Sequence, residues 1–252
     1  MAWTLNTHDS LPLWRPAAPP AHAIVAATTR RGGVSAPPYE SLNLGRSTDD
    51  AADAVVENRR RVLAGLGLDP LRLATAGQVH GTDVAPVERP GLHASVDGLA
   101  TRTLGLALAI TVADCLSLLY VAPATVAAAH SGWRGTAAGM PRAALAAVCA
   151  LSDCAPRDVL VFVGHGIGPC CYRVGEDVAA RFPLEAIVRD ATGVRVDLVA
   201  AARRQLLDAG VPAPGLTDPP VCTSCDSGWC FSHRRDAGRT GRHWGLVALR
   251  PQ

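Results

Sequence analysis

The sequence has few aromatic residues and little net charge. Phe, Trp and Tyr together make up 4% of the 252 residues, whereas 48% of the chain is hydrophobic. We therefore expect a core built mainly from Ala, Val and Leu. The formal net charge is only +2, so the charge balance gives no argument for a nucleic-acid or membrane partner.

Targeting and membrane-spanning signals are also missing. The N-terminus, MAWTLNTHDSLPLWRP, has no basic start and no apolar run before a small-residue cleavage site. The longest apolar stretch, residues 104–123, approaches the length of a membrane span, but Asp114 lies in its middle and β-branched residues cluster in it. We interpret this stretch as two buried strands around a polar turn, and we expect a cytoplasmic protein.

The order of predicted elements indicates an α+β fold in a single domain, residues 1–252, with no internal repeat. Residues 1–22 are expected to be irregular, because residues 10–22 are rich in proline. Strands outnumber helices, and the helices do not alternate with strands as a doubly wound sheet requires. Strands are predicted over 23–30, 72–81, 83–87, twice within 104–120, over 125–130, 158–164 and 243–249, with 72–81 and 83–87 paired around Gly81. Helices are predicted over 50–64, 141–152, 176–182 and 196–210.

Eight cysteines are present, but a chain of this length in a reducing compartment does not need disulfide staples. The adjacent Cys170 and Cys171 also suit a disulfide framework poorly. Cys222 and Cys225 form a CTSC motif without a second CxxC, so a zinc ribbon is unsupported. We interpret these thiols as buried or loop residues, with a reactive pair as the alternative.

Three residues have the chemistry of a catalytic zinc site. His80, Cys115 and His130 each lie at the end of a predicted strand, beside a glycine or a carboxylate. Three protein ligands leave one coordination position open for water or substrate. The spacing matches no compact metal motif, so a turn histidine, a buried thiol and a helix-capping histidine remain the alternative. Asp114 could orient a ligand histidine, or it could be an exposed turn residue.

Arginines are concentrated in FSHRRDAGRTGR and near two glycine-rich turns. Guanidinium groups suit recognition of phosphate or carboxylate, with a solvated basic face as the alternative. The candidates are Arg30, Arg31, Arg134, Arg234, Arg235, Arg239 and Arg242. The loop GHGIGPCC is neither a GxGxxG turn before a helix nor a Walker loop, so the nucleotide-binding folds that these motifs mark are not indicated.

Several segments together resemble a known family. They are TTRRGGVSAPPYESLNLG, NRRRVL, GQVHGTDV, VADCLSLL, HSGWRGTAAG, GIGPCCYRVG and CTSC followed by FSHRRDAGRTGR, which extend from about residue 28 to residue 249. The chain is similar in these segments to the peptidoglycan-editing-factor or laccase-domain family, also called the multicopper polyphenol oxidase family. Its members include bacterial purine nucleoside phosphorylases and a mammalian macrophage relative.

The resemblance implies an α/β/β/α sandwich with mixed sheets and a zinc site formed by His80, Cys115 and His130, with copper possible. It also implies phosphorolysis of adenosine, inosine and methylthioadenosine, together with adenosine deamination. The implied partners are a purine nucleoside and phosphate, in a monomer or a homodimer.

Roles for further residues follow from this resemblance. Arg30 and Arg134 would hold phosphate, and His233 and Arg234 would also contact substrate. Catalytic roles are assigned to Asp114, Gln78 and Arg134. Which residue protonates the departing purine is left open; the candidates are Gln78, Asp114 and His233.

The chain departs from the family pattern around this site. His165 stands where proline is usual, Arg173 stands where glutamate is usual, SGWCF replaces a more acidic stretch, and the His243-Trp244 pair replaces a small or Met-containing sequence. These changes put the substrate preference in doubt more than metal binding. His165 could be an extra ligand, a base or a loop histidine.

Three other functions compete with the phosphorylase. A peptidoglycan-editing hydrolase that acts on a mis-charged muropeptide precursor would use the same site. A copper phenol oxidase is disfavoured, because a laccase needs several coppers and the eight histidines include no HxH pair. A non-catalytic zinc-stabilised binding protein is disfavoured by the open coordination position.

Overall fold

The computed structural model describes residues 2–8 and 11–251, which form fifteen β-strands and five α-helices. The strands are β1 (Trp3–His8), β2 (Leu11–Pro16), β3 (Ala23–Thr28), β4 (Leu73–Ala76), β5 (Val84–Pro86), β6 (Gly91–His93), β7 (Gly98–Thr101), β8 (Ala107–Val112), β9 (Leu116–Val121), β10 (Val126–Ser131), β11 (Leu160–Val163), β12 (Ile187–Asp190), β13 (Gly193–Val196), β14 (Leu216–Thr217) and β15 (His243–Leu249). The helices are α1 (Ala52–Gly65), α2 (Trp133–Ala138), α3 (Met140–Ser152), α4 (Glu176–Ala179) and α5 (Leu198–Asp208).

Thirteen of these strands form two mixed sheets. The first sheet has the order β1-β2-β3-β15-β8-β4-β6, and the second has the order β14-β11-β9-β10-β7-β5. Within the first sheet β4 pairs in parallel with β6 and β8, whereas the remaining neighbouring strands of this sheet pair antiparallel. The remaining two strands, β12 and β13, form a separate hairpin.

The two sheets pack face to face, and helices cover their outer faces. Strand β9 shows how the sequence fits this arrangement: its residues are all buried, with Leu118 facing the helices α3 and α5 and Leu119 facing the other sheet. A strand buried on both faces reads as a continuous apolar run rather than an alternating one. On the opposite side, Val62 and Leu63 of α1 pack on the first sheet. The predicted α/β/β/α sandwich with mixed sheets is confirmed.

Two local predictions were wrong. Residues 3–8 and 11–16 lie in the segment 1–22, which was predicted to be irregular because of its prolines. They form the hairpin of β1 and β2, since Leu11 and Leu13 are buried and supply a core-facing pattern. The Nε1–H of Trp3 in β1 donates to the carbonyl of Val163 (3.0 Å), which ties this hairpin to the second sheet. The second error concerns β4 and β5, which were expected to pair with each other but lie in different sheets.

The functional residues lie where the chain passes between the sheets. The apolar stretch 104–123 forms β8 and β9, as predicted, but the two strands belong to different sheets. The turn that joins them carries Asp114 and Cys115, and the end of β10 beside β9 carries His130. Within the described residues, every helix is too short or too polar to cross a membrane.

Candidate metal centre and its pocket

A cavity of about 650 Å³ opens beside the β8–β9 turn. Its size falls within the range of roughly 300–1,000 Å³ that is usual for small-molecule sites. Its lining includes the following predicted site residues: Gln78, His80, Asp114, Cys115, His130, His233 and Arg234. The structure therefore brings together most of the residues that the sequence singled out, although they come from four separate segments.

His80, Cys115 and His130 form a compact group at the wall of this cavity, named here the pocket triad. Their ligand atoms all lie within 4.8 Å of one another, and the two imidazole rings meet edge to face with centroids 4.9 Å apart. His130 is 3% exposed, whereas His80 is exposed on the cavity side. Two nitrogens and one sulfur with an open side are a donor set that fits a catalytic metal.

Asp97 organises this triad, and sequence reasoning missed it. The buried carboxylate accepts a hydrogen bond from Nδ1–H of His130 (2.7 Å), which leaves Nε2 of that ring for a metal. It also accepts the backbone N–H groups of Val79, His80 and Gly81 at 3.0, 2.9 and 2.8 Å. These bonds hold the loop in which His80 has a left-handed backbone (φ 64°), a conformation uncommon outside glycine.

The surroundings of the triad shift the pKa values of two of its members. Burial raises the pKa of Cys115, but hydrogen bonds from His130 and His80 outweigh it and lower the pKa to about 7. Burial lowers the pKa of His130, but the bonds to Asp97 and Cys115 outweigh it and raise the pKa to about 9. The group is therefore arranged around a thiolate, which is the form that binds a metal.

Gly132 explains the tight turn in HSGWRG. A Cβ on this glycine would lie 2.9 Å from Sγ of Cys115 and 3.2 Å from Cδ2 of His80. Any side chain there would occupy the space where the triad converges. Strand β10 ends one residue after His130, and the chain turns at Gly132 and begins α2 at Trp133, so it leaves the centre at once.

Gln78 and Asp114 line the cavity, but their polar atoms already have partners. The amide of Gln78 donates to the carbonyl of Thr111 (2.6 Å) and accepts its N–H (2.9 Å), which fixes the loop to β8. The carboxylate of Asp114 accepts Oγ1–H of Thr223 and the N–H of Arg234, both at 2.6 Å. The sequence-based suggestion that Asp114 orients a ligand histidine was wrong, because Asp97 has that place.

The predicted anion-binding arginines separate into two groups. Arg234 and Arg242, both from the predicted arginine-rich segment, line the cavity together with Arg46 and Arg59, which were not predicted. Arg30 does not line it: its guanidinium donates to the carbonyls of Glu40 and Ser227. Positions before a glycine-rich turn do not reveal which way a side chain points.

Arg134 also lies outside the cavity lining. It is exposed and stacks on the ring of Trp133, 4.3 Å from its centroid. Since Trp133 lines the cavity, this guanidinium sits at the rim rather than on the wall.

His165, one of the departures from the family pattern, is fully buried and does not reach the cavity. It lies with Cys230 and His243 in a second group whose ligand atoms are also within 4.8 Å of one another. We name these three residues the interior triad. Another departure is Arg173, whose backbone carbonyl accepts a hydrogen bond from the guanidinium of Arg234 (2.7 Å). Arg173 therefore contacts this cavity-lining residue through its backbone and not through its side chain.

Comparison with known proteins is consistent with this geometry. The family model described as multi-copper polyphenol oxidoreductase laccase matches residues 24–250. The purine nucleoside phosphorylase YlmD of Geobacillus stearothermophilus is 37% identical over 93% of this chain and 93% of its own length. A purine nucleoside phosphorylase of Deinococcus radiodurans is 40% identical, with 96% and 95% of the two chains covered. The relative YfiH of Escherichia coli, which has the same description, is 34% identical over 91% and 95%.

Solved structures agree with the sequence relatives. The crystal structure of YlmD from Geobacillus stearothermophilus superposes with a TM-score of 0.92 at 36% identity, covering 98% of this chain and 99% of that one. The YfiH structure from Bacillus licheniformis gives a TM-score of 0.91 at 30% identity, with 98% and 99% covered. On the family match, the relatives and the shared fold, this chain belongs to the laccase-like multi-copper polyphenol oxidoreductase family, whose curated relatives here are named purine nucleoside phosphorylases.

Proposed function

We propose that this protein is a zinc-dependent purine nucleoside phosphorylase that acts on adenosine, inosine and methylthioadenosine, with adenosine deamination at the same centre. The observation that carries the proposal is the placement of the pocket triad in one cavity with four arginines. Phosphorolysis needs an anion beside C1′ and a stabilised purine leaving group. A cavity that combines guanidinium groups with a metal centre supplies both.

Phosphate recognition falls to the arginines of the cavity wall. Arg59 is buried and donates twice to the carbonyl of Leu44, at 2.9 and 2.6 Å, and Arg242 donates to the carbonyls of Thr240 and Gly241. These bonds hold the guanidinium groups in place before an anion arrives, which reduces the entropy lost on binding. Arg46 and Arg234 complete the basic wall, whereas Arg30 and Arg134, the residues first expected to hold phosphate, do not line the cavity.

The metal would be held by His80, Cys115 and His130. When bound, zinc supplies a Lewis acid that polarises an oxygen and lowers the pKa of a bound water. Asp97 keeps the His130 ring in the tautomer that a ligand needs, and the exposed side of His80 leaves the centre open to the cavity.

His233 is the residue that we assign to protonation of the departing purine. It lines the cavity and is exposed, and imidazole is the commonest general acid in enzymes. The other candidates are worse placed, because the amide of Gln78 and the carboxylate of Asp114 are engaged by Thr111, Thr223 and Arg234.

Turnover of inosine with and without phosphate tests the proposal. The wild-type protein, a His80→Ala variant and a His22→Ala control would be compared, with the metal content of each recorded. His22 does not line the cavity, so its loss is expected to leave activity unchanged. We expect phosphate-dependent release of hypoxanthine that His80→Ala abolishes. Product release that ignores phosphate, or no turnover by metal-loaded protein, would reject the phosphorylase and direct attention to a muropeptide precursor.

A further inference from the structure

Two loops that border the cavity carry half of the eight cysteines of the chain. Cys170 and Cys171 lie in the loop between β11 and α4, and Cys222 and Cys225 lie in the loop that follows β14. Their sulfur atoms all lie within 4.8 Å of one another. We name these four residues the thiol cluster. The sequence pattern does not match a zinc motif with two CxxC halves, because one half is a CC pair and only the other half is a CxxC.

The spacing of the sulfurs is that of a tetrahedral thiolate site. Zinc binds thiolate sulfur at about 2.3 Å, so two sulfurs on one tetrahedral ion lie roughly 3.8 Å apart. Sγ of Cys225 lies 3.5 Å from Sγ of Cys170 and 3.4 Å from Sγ of Cys171. Cys225 thus approaches two partners almost equally, which a single disulfide would not explain.

Backbone groups are arranged to support thiolates at this point. The N–H of Gly168 donates to Sγ of Cys222 (3.2 Å), and the N–H groups of Cys225 and Ser224 face the same sulfur. Hydrogen bonds of this kind orient a metal ligand and offset its negative charge. A Cβ on Gly168 would lie 3.3 Å from Sγ of Cys170 and 3.4 Å from Cβ of Cys222, so this glycine allows the two loops to approach.

We propose that Cys170, Cys171, Cys222 and Cys225 bind a structural zinc ion, separate from the metal of the pocket triad. Four protein sulfurs fill the tetrahedral coordination shell, so this site has no open position for substrate. Binding transfers the thiol protons to solvent and changes no oxidation state. The proposal does not depend on the reaction assigned to the cavity.

The zinc would fasten the wall of the cavity. Tyr172, which follows Cys171, lines the cavity. Thr223, which follows Cys222, donates its hydroxyl to Asp114 (2.6 Å), and its N–H donates to the carbonyl of Gly166 (3.0 Å). Joining the two loops through one ion therefore holds Tyr172 and the Asp114 turn in register.

Zinc content measured by plasma mass spectrometry tests the site. The wild-type protein would be compared with a Cys170→Ser/Cys225→Ser variant, whose altered side chains are both exposed in the wild type. A Cys149→Ser/Cys154→Ser variant is the matched control, because it removes two thiols outside the cluster. We expect the cluster variant to lose about one zinc per chain and the control to lose none. Cobalt-substituted protein should likewise lose the sulfur-to-cobalt charge-transfer absorption of a tetrathiolate site only in the cluster variant.

Equal zinc content and equal cobalt spectra in the wild type and the cluster variant would overturn the proposal. If the cluster variant fails to fold, a measurement on the wild-type protein alone still tests the proposal. Cys170 and Cys225 are exposed, so without a metal N-ethylmaleimide should modify them at once. We expect them to resist modification until a chelator is added, and immediate modification would also overturn the proposal. These readouts report on zinc and thiols, so failure of phosphorolysis leaves them interpretable.

Discussion

The pocket triad and the interior triad contain the same residue types in different surroundings. Each has two histidines and one cysteine, with ligand atoms within 4.8 Å of one another. The pocket triad faces a cavity and has a carboxylate, Asp97, bound to one of its rings. The interior triad is fully buried; its two imidazole rings pack on each other, and that of His243 also packs on Phe231.

The pKa values of the two groups move in opposite directions. In the pocket triad the thiol pKa falls to about 7 and the His130 pKa rises to about 9. In the interior triad burial lowers the pKa of His165 to about 4, lowers that of His243 well below its usual range and raises that of Cys230. The interior group is therefore neutral throughout, which suits packing in an apolar core.

The comparison shows that two groups of the same side chains differ in access to a cavity and in their protonation before a metal binds. A hydrogen bond to the second ring nitrogen fixes the tautomer of a ligand imidazole, and a thiol that is already a thiolate binds a metal without losing a proton. Asp97 and the contacts between Cys115 and the two imidazoles meet both conditions in the pocket triad.

The largest difference is expected between replacing the thiol of the pocket triad and replacing the thiol of the interior triad. Cys115→Ser removes a ligand of the pocket triad, and we expect metal affinity to fall more than about 100-fold, with loss of turnover. Cys230→Ser is the matched change in the interior triad and should leave metal affinity and turnover unchanged. Dialysis against a metal chelator followed by elemental analysis compares the metal retained by the two variants, and the inosine assay compares their turnover. Loss of metal in Cys230→Ser alone would reverse the assignment.

Replacing the carboxylate should have the next largest effect. Asp97→Asn weakens the bond to Nδ1–H of His130 and the cradle under His80, so we expect metal affinity to fall about 10–100-fold. Asp114→Asn is the control, because Asp114 contacts Thr223 and Arg234 instead of a ligand imidazole. Chelator competition gives both affinities. An Asp114→Asn variant weaker than Asp97→Asn would contradict the assigned roles.

The pH dependence of metal binding should follow the two shifted groups. In the metal-free protein Cys115 has a pKa of about 7 and is a thiolate above pH 7. His130 has a pKa of about 9 and is protonated below pH 9. Between these values the pair releases one proton on binding, so its affinity should rise about tenfold per pH unit. Below pH 7 both ligands must lose a proton, and the slope should approach about 100-fold per unit.

Calorimetry in buffers of different ionisation enthalpy counts the released protons. The informative quantity is the change in proton number between pH 6 and pH 8. We expect the count to be about one proton larger at the lower pH. A count independent of pH would show that Cys115 and His130 do not titrate as the geometry requires.

The smallest effect is expected in the interior triad. Neither nitrogen of His165 has a hydrogen-bond partner of good geometry, and burial lowers its pKa to about 4 against the opposing effect of the Thr28 backbone. Unsatisfied buried polar atoms cost stability, so His165→Leu should raise the free energy of unfolding by about 1 kcal/mol. Urea denaturation measures it, and His93→Leu at the surface is the control. A loss of stability together with a lost metal would show that the interior triad binds one.

Much of this architecture could be predicted from the sequence, because local patterns carry it. The apolar runs of β8, β9 and β10 and the proline at the start of α3 predicted those elements close to their observed bounds. The pairing of β4 and β5 was wrong, because which sheet a short strand joins depends on contacts distant in the chain.

The candidate site divides in the same way. His80, Cys115 and His130 were first named from their chemistry and their place at the ends of predicted strands, and the family resemblance then assigned them to zinc. The structure brings them together. Asp97 escaped notice because its partners His80 and His130 are 17 and 33 residues away, and nothing in the local sequence marks it. The thiol cluster and the interior triad likewise exist only through tertiary contacts.

Anomalous diffraction at the zinc edge from crystals of the metal-loaded protein tests the contrast between the triads most directly. We expect an anomalous-difference peak between His80, Cys115 and His130, and none among His165, Cys230 and His243. A peak in the interior triad, or an empty pocket triad in crystals that hold zinc elsewhere, would contradict it.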